Sequence, residues 1–208
     1  MTARDEILTR LRTALGPAPQ APPVPRDYRV DNDDAGTATL LETLVDRLAD
    51  YRTEVTRCRP PELAASIGLA LVEVRRLAVP TDVPADWLSA YPGTVVKDGP
   101  QPLTVVDLDG VDAVLTGCAV AIAETGTLVL DGGAAQGRRA LTLVPDRHVC
   151  VVAADQVVGG VPAGLRRLTP TRPLTFISGP SATSDIELRR VEGVHGPRRL
   201  HVIVVEPA

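Results

Sequence analysis

Aromatic side chains make up only 2% of this chain, so its core must be built from Val, Leu, Ala and Ile. That scarcity excludes nucleic-acid modules that stack bases on exposed Phe, Tyr or Trp. A formal net charge of −4 argues against a phosphate-backbone binder as well. Lysine occurs once, at Lys97, against 21 arginines. A Walker-type phosphate loop and a Schiff-base lysine are thereby excluded, since Lys97 lies in no suitable motif. The three cysteines, Cys58, Cys118 and Cys150, form no Cys-x-x-Cys pair. They read as small core hydrophobes in a reducing cytoplasm and match no iron–sulfur spacing. The glycines make no dinucleotide fingerprint, and no His/Cys/carboxylate cluster has metal-ligand spacing. The expected cofactor set is therefore none. The longest uncharged apolar run, about Ala113 to Ala123, is too short to cross a bilayer. At the N-terminus, Arg4, Asp5 and Glu6 precede Ile7, Leu8, Leu11 and Leu15 at helical spacing, unlike a signal peptide. The chain reads as soluble and cytoplasmic.

What is present is enough apolar residue, 44% of 208, for one domain of ordinary size. Residues 3 to 15 carry an apolar helical stripe that Gly16-Pro17 ends, and five prolines between Gly16 and Pro25 make a linker. This divides the chain into an N-terminal helix and linker, 1–25, and an α/β domain, 26–208. The first helix is expected to dock on the main body or on a partner subunit, the main body being the plainer case. Asp31, Asp33, Gly36 and Glu42 imitate a calcium-binding loop, but Ala35 supplies no ligand and no helix precedes it. Leu40, Leu41, Leu44, Val45 and Leu48 define a helix face up to Tyr51. Strand-like and helical pieces then alternate: Glu54 to Thr56 extended, Pro61 to Arg76 helical, Leu77 to Val79 extended, Pro84 to Tyr91 helical, Thr94 to Val96 extended. Three apolar pieces lie between Val111 and Asp131, and residues 155 to 168 read as a helix. The rhythm predicts an open, mostly parallel twisted sheet flanked by helices.

Two stretches carry candidate chemistry. In the last quarter, Leu174, Phe176 and Ile177 give way to a loop holding Gly179, Ser181, Thr183, Asp185 and Glu187, and a second loop follows with His195, Gly196, Pro197 and Arg198. Such loops build ligand sites at the carboxyl ends of strands. Freed backbone N–H groups, hydroxyls and an Arg fork suit a small carboxylate or phosphate, with Arg198 or Arg138 as clamp and His195 donating a bond or moving a proton. The plainer reading is a helix cap by Ser184 or Asp185. In the second stretch Glu124 is the sole charge between Ala113 and Leu130, followed by Thr125, Gly126 and Thr127. Desolvation there would raise its pKa and suit it to general acid/base or nucleophilic work. The alternative is a glutamate at an edge turn that accepts bonds from Thr125 and Thr127. Glu124 and the two loops are expected to converge on one cleft. His148 and His201 read as strand-end or core histidines.

Four strings in order, Ala123-Glu124-Thr125-Gly126-Thr127, Leu143-Val144-Pro145-Asp146-Arg147-His148, Gly179-Pro180-Ser181-x-Thr183-x-Asp185-Ile186-Glu187 and Gly193-Val194-His195-Gly196-Pro197, resemble the LutC/YkgG family of stand-alone LUD-domain proteins. The resemblance covers most of the chain and is weakest before about residue 90. It implies a fold similar to the NagB/ribose-phosphate isomerase/CoA-transferase superfamily. It also implies a part in oxidising L-lactate to pyruvate beside an iron–sulfur subunit and a cysteine-rich subunit. CoA-transferases of that superfamily use a glutamate in a comparable Glu-x-Gly turn, which points to Glu124 by analogy alone. Three functions stay open: a cluster-free subunit of a lactate-oxidising system, a free-standing acyl-CoA or sugar-phosphate enzyme using Glu124, and a module sensing a small carboxylate or phosphate.

Overall fold

The computed structural model describes residues 2–17, 21–27, 35–183, 191–192 and 195–207, with backbone alone at 182, 183, 191 and 192. In chain order the elements are α1 (Ala3–Leu15), α2 (Thr37–Asp50), β1 (Glu54–Cys58), α3 (Leu63–Ala70), β2 (Arg76–Pro80), β3 (Thr94–Asp98), α4 (Val105–Asp109), β4 (Ala113–Thr116), β5 (Val120–Ile122), β6 (Thr127–Leu130), β7 (Arg147–Ala153), β8 (Val157–Val158), α5 (Val161–Arg167), β9 (Thr175–Ile177), β10 (Ala182–Thr183), β11 (Val191–Glu192) and β12 (Arg199–Val205). Six strands form a parallel sheet in the order β1-β12-β7-β4-β2-β3. The expected parallel α/β sheet is therefore present. A second sheet, β8-β5-β6-β9, is mixed and was not foreseen, because its strands are only two to four residues long.

The layers follow from the side-chain periods. On β7, Val149 and Val151 point to one face, where Ile67 and Leu71 pack. Cys150 and Val152 point to the other and meet Leu41, Leu44 and Leu48 of α2. Both faces are thus covered, which is why β7 and β12 read as nearly unbroken apolar runs. The mixed sheet joins the α2 layer through Ala121, Leu128 and Leu130. Its far face holds Ile122, Val129 and Val158 under Ala163 of α5. Leu44 and Leu48 are fully buried, and each such burial stabilises the fold by about 2 kcal/mol.

Several expected elements are shorter or divided. The helix over 61–76 ends at Ala70. The Asp112 carboxylate accepts the N–H groups of Arg75 and Arg76, both at 2.8 Å, and turns the chain into β2. The helix over 155–168 splits at Gly159-Gly160 into β8, which pairs with β5, and α5. Helix α4 was missed; Thr104 caps it by accepting from the Asp107 N–H while Asp107 accepts in return. Helix α1 forms where expected but buries none of its residues, so the expected docking on the main body is not found. Ile7, Leu11 and Leu15 stay exposed. The calcium-like Asp31 and Asp33 lie outside the described residues. Among the described residues no helix is long and apolar enough to cross a membrane.

Candidate functional site

Strand β9 leaves the mixed sheet at Ile177 and runs into Ser178, Gly179, Pro180 and Ser181. Opposite it, His195, Gly196 and Pro197 lead into β12. The two loops are tied together: the Ser181 N–H donates to the Pro197 carbonyl and the His195 N–H to the Ser181 hydroxyl, both at 2.9 Å. Between them and the 3-10 turn Arg139–Thr142 lies a cavity of about 440 Å³. Its wall includes Arg139, His148, Ser178, Ser181 and His195, with Phe176 at one side. His148 and Leu200 are partners in the β7–β12 register and stand one residue in from the start of each strand. The cavity therefore sits at the amino ends of these parallel strands. That corrects the expectation of a carboxyl-end site, which holds here only for β9. The backbone N–H of Ser181, expected to be free for an anion, is spent on joining the loops.

The charges are distributed unevenly. Among the described residues lining this cavity there is one arginine, two histidines and no carboxylate. Arg198, expected as the clamp, is held by Asp146 through two bonds of 2.6 and 3.0 Å. That hydrogen bonding keeps the Asp146 carboxyl below its usual range. Arg138, the other expected clamp, grips Asp98 at 2.8 and 3.1 Å and also donates to the Leu103 carbonyl. Both are corrected to ion-paired arginines. Arg139, their unremarked neighbour, forms no ion pair with any described residue, and it lines a second cavity of about 440 Å³ as well. In that second cavity Arg172 is paired with Asp131 at 2.9 Å.

His148 is fully buried, and its Nε2 lies 2.8 Å from the Thr116 hydroxyl. Among the described residues its Nδ1 has no hydrogen-bond partner, and that atom is itself shut off from solvent. Nothing in the residue pattern singles out Arg139 or His148. Asp98 and Asp146, which occupy the other arginines, are far away in sequence, and only the fold shows which guanidinium is left over. The neighbouring Cys150 and burial raise the Cys118 thiol, which donates to Gln156 Oε1 at 3.7 Å. All three cysteines are buried and unpaired by disulfides.

Glu124 does not line either cavity. It is exposed in the turn between β5 and β6, with its N–H bonded to the Gly159 carbonyl at 3.0 Å. The desolvation expected for it is absent, because the hairpin turn projects it outward. Gly126 has φ +60° and presses on α2, where an added Cβ would lie 2.9 Å from the Arg47 Cβ. The Thr125 and Thr127 hydroxyls bond to each other at 2.7 Å, and Thr127 reaches the Ser178 hydroxyl at 2.8 Å. Gly179, with φ +81°, packs against Tyr51. So Gly179, Ser181 and His195 gather at one cavity, Thr127 supports it through Ser178, and Glu124, Thr125 and Gly126 stand outside. Thr183 is described by its backbone in β10, antiparallel to β11. Asp185 and Glu187 lie outside the described residues. Among the described residues no group of His, Cys, Asp and Glu has the geometry to hold a metal ion.

Comparison with known proteins fits this architecture. Residues 106–205 match the LUD domain family. A protein called lactate utilization protein C from Deinococcus radiodurans is 49% identical over 98% of this chain and 95% of its own length. One of the same name from Exiguobacterium sp. is 26% identical over 99% and 96%. A crystal structure of a DUF162 family protein from Deinococcus radiodurans superposes with a TM-score of 0.72 at 47% identity, covering 82% of this chain and 99% of that one. With near-complete overlap at 49% identity, the chain belongs to the LUD-domain family, in its LutC/YkgG branch.

Proposed function

We propose that this chain serves lactate utilization as a subunit without an iron–sulfur cluster of its own, and that the cavity between the β9 and β12 loops is its site for a small carboxylate. Relatives named for lactate utilization support the process. The observation that carries the site is its charge. A protein of net charge −4 concentrates an unpaired arginine and two imidazoles around a cavity whose described wall holds no carboxylate. A guanidinium takes a carboxylate through two parallel bonds, and Arg139 is exposed and so open to an incoming anion. Partner subunits would supply the redox groups. The burial of all three cysteines supports that division, because none presents a thiolate at the surface. An iron–sulfur protein and a cysteine-rich protein are the proposed partners.

The reading that uses Glu124 in CoA-transferase-like chemistry has no support from the cavity, since that carboxylate is exposed and does not line it. Calorimetric titration of L-lactate, pyruvate and phosphate into the wild type, Arg139→Ala and Arg198→Ala tests the proposal. Loss of carboxylate binding in Arg139→Ala alone is the expected result. Equal binding by all three proteins refutes the assignment of the site.

A further inference from the structure

The second cavity, of about 440 Å³, lies between the loop that follows β6 and the residues that lead into β9. That loop is anchored at the carboxyl ends of three parallel strands. The Gly117 N–H, just past β4, donates to the Ala135 carbonyl at 2.8 Å. The Ala135 N–H donates at 2.9 Å to the carboxylate of Asp82, two residues past β2. Asp98, the last residue of β3, holds Arg138. This is the edge at which open parallel sheets gather their ligands. Inside the loop the Asp131 N–H donates to Gln136 Oε1 at 2.6 Å. That bond fixes which end of the amide is the oxygen and turns the NH2 end elsewhere. The NH2 donates to no described residue, although Gln136 is only 4% exposed. The Asp131 carboxylate is filled, since it takes the Gly133 N–H and an Arg172 N–H, both at 2.9 Å. Gly133 lets these groups converge: a Cβ there would stand 2.8 Å from Asp131 Oδ1, 3.1 Å from Gln136 Nε2 and 3.4 Å from Arg172 Nη1. The Gln136 amide and the Arg172 guanidinium are therefore neighbours.

From this arrangement we infer that the second cavity is a separate site for a phosphoryl-bearing small molecule, held by Gln136, Arg172 and Arg139. Among the described residues its lining carries three arginines and one carboxylate. Asp98 and Asp131 match two of the arginines, which leaves the charge of Arg139 uncompensated. Arg172 spends one N–H on Asp131, and a guanidinium has others to offer. A wall of positive charge and spare donors, whose carboxylate is already filled, selects an anion. The donors come from three places: the loop, the 3-10 turn Arg139–Thr142 and the chain ahead of β9. That spread suits a phosphoryl group, whose oxygens point apart, better than a planar carboxylate, which a single guanidinium fork satisfies. The cavity has the size of a small-molecule site, so it has room for the rest of a phosphate ester beside the phosphoryl group. Arg139 lines the first cavity too, so its removal does not tell the two sites apart. Gln136 and Arg172 line the second alone.

Calorimetric titration of inorganic phosphate and pyrophosphate into the wild type, Gln136→Glu and Arg172→Ala, at constant ionic strength, tests the inference. Gln136→Glu keeps an oxygen to accept the Asp131 N–H and puts a carboxylate oxygen where the NH2 stood. Both probes are expected to bind the wild type, and each substitution to weaken them roughly tenfold or more, the worth of one hydrogen bond to a charged group. Equal affinity in all three proteins overturns the inference, and so does the absence of binding to the wild type at millimolar phosphate. Should either variant not fold, proton–nitrogen NMR of the wild type decides. The side-chain amide of Gln136 must shift with phosphate and stay with sodium chloride of the same ionic strength; a shift with both, or with neither, refutes the site. The carboxylate assignment is judged separately, by L-lactate and Arg139→Ala, so a failure here leaves it standing.

Discussion

Gly126→Ala separates a packing role for the Glu-Thr-Gly-Thr string from a catalytic one. Gly126 sits at φ +60°, where an alanine costs about 1.5 kcal/mol relative to glycine. Its new Cβ would stand 2.9 Å from the Arg47 Cβ, 3.1 Å from the Arg47 carbonyl carbon and 3.2 Å from its oxygen. Two of these are backbone atoms in the body of α2, whose Leu44 and Leu48 are fixed in the core, so the helix cannot simply yield. Overpacking of this kind costs about 2 kcal/mol. The stiffer unfolded chain of the variant returns roughly 0.7 kcal/mol. The expected net loss is about 3 kcal/mol, a substantial share of the roughly 5–15 kcal/mol typical of a whole domain. Urea unfolding followed by circular dichroism measures it as a lower midpoint at unchanged slope. In parallel, Glu124→Gln should leave lactate binding unchanged. If Gly126→Ala keeps its wild-type midpoint while Glu124→Gln abolishes ligand binding, the hairpin belongs to the chemistry and the packing argument is wrong.

Leu44→Ala removes a fully buried side chain between the parallel sheet and α2. It should cost about 3 kcal/mol and lower Tm by roughly 10 °C in calorimetry, and a drop of a degree or two would mean that α2 is not part of the cooperative core. The Arg198–Asp146 pair makes a pH prediction. Because Asp146 is held below its ordinary 3.8, its contribution to stability is complete above that value and is lost as the pH falls through the lower folded value. Wild type and Asp146→Asn should therefore differ in urea midpoint at pH 7 and converge in acid; a gap that does not change with pH would show that the pair does not titrate as the geometry requires.

The parallel sheet was legible because its strands are apolar on both faces, and the helices with strong stripes, α1 and α2, fell within three residues of their expected starts. The mixed sheet was not, since strands such as Val157–Val158 carry too few residues to show a period. The meeting of the Gly179–Ser181 and His195–Pro197 loops was readable from two polar loops bracketed by strands. The identity of the charged group was not. Twenty-one arginines look alike in sequence, and the separation between Arg138 and Arg139 rests on Asp98, forty residues before the first of them. Likewise His148 looked like a core histidine and is one by burial. Its Nδ1, like that of His201, is left without a hydrogen-bond partner among the described residues, which no residue pattern encodes. Glu124 shows the opposite error: an apolar sequence context was taken for an apolar environment, although a tight turn exposes whatever stands at its tip.

The hairpin still bears on the site, through mechanics rather than contact. Thr125 and Thr127 share a hydrogen bond, and Thr127 passes it on to Ser178 at the cavity wall. Both ends of this chain are pinned to the C-terminal half of α2 and the residue after it, Gly126 against Arg47 and Gly179 against Tyr51. Leu128 and Ile177 lock the strands between in register. The position of Ser178 is thus set by three elements at once, and none of them lines the cavity with a charge. Rigid support of that kind is what any binding geometry needs, because a loop free to shift by an ångström loses its discrimination. The small hydroxyl residues and glycines of the Glu-Thr-Gly-Thr string therefore hold one wall of the cavity still, while Arg139 and His148 of its lining come from other elements.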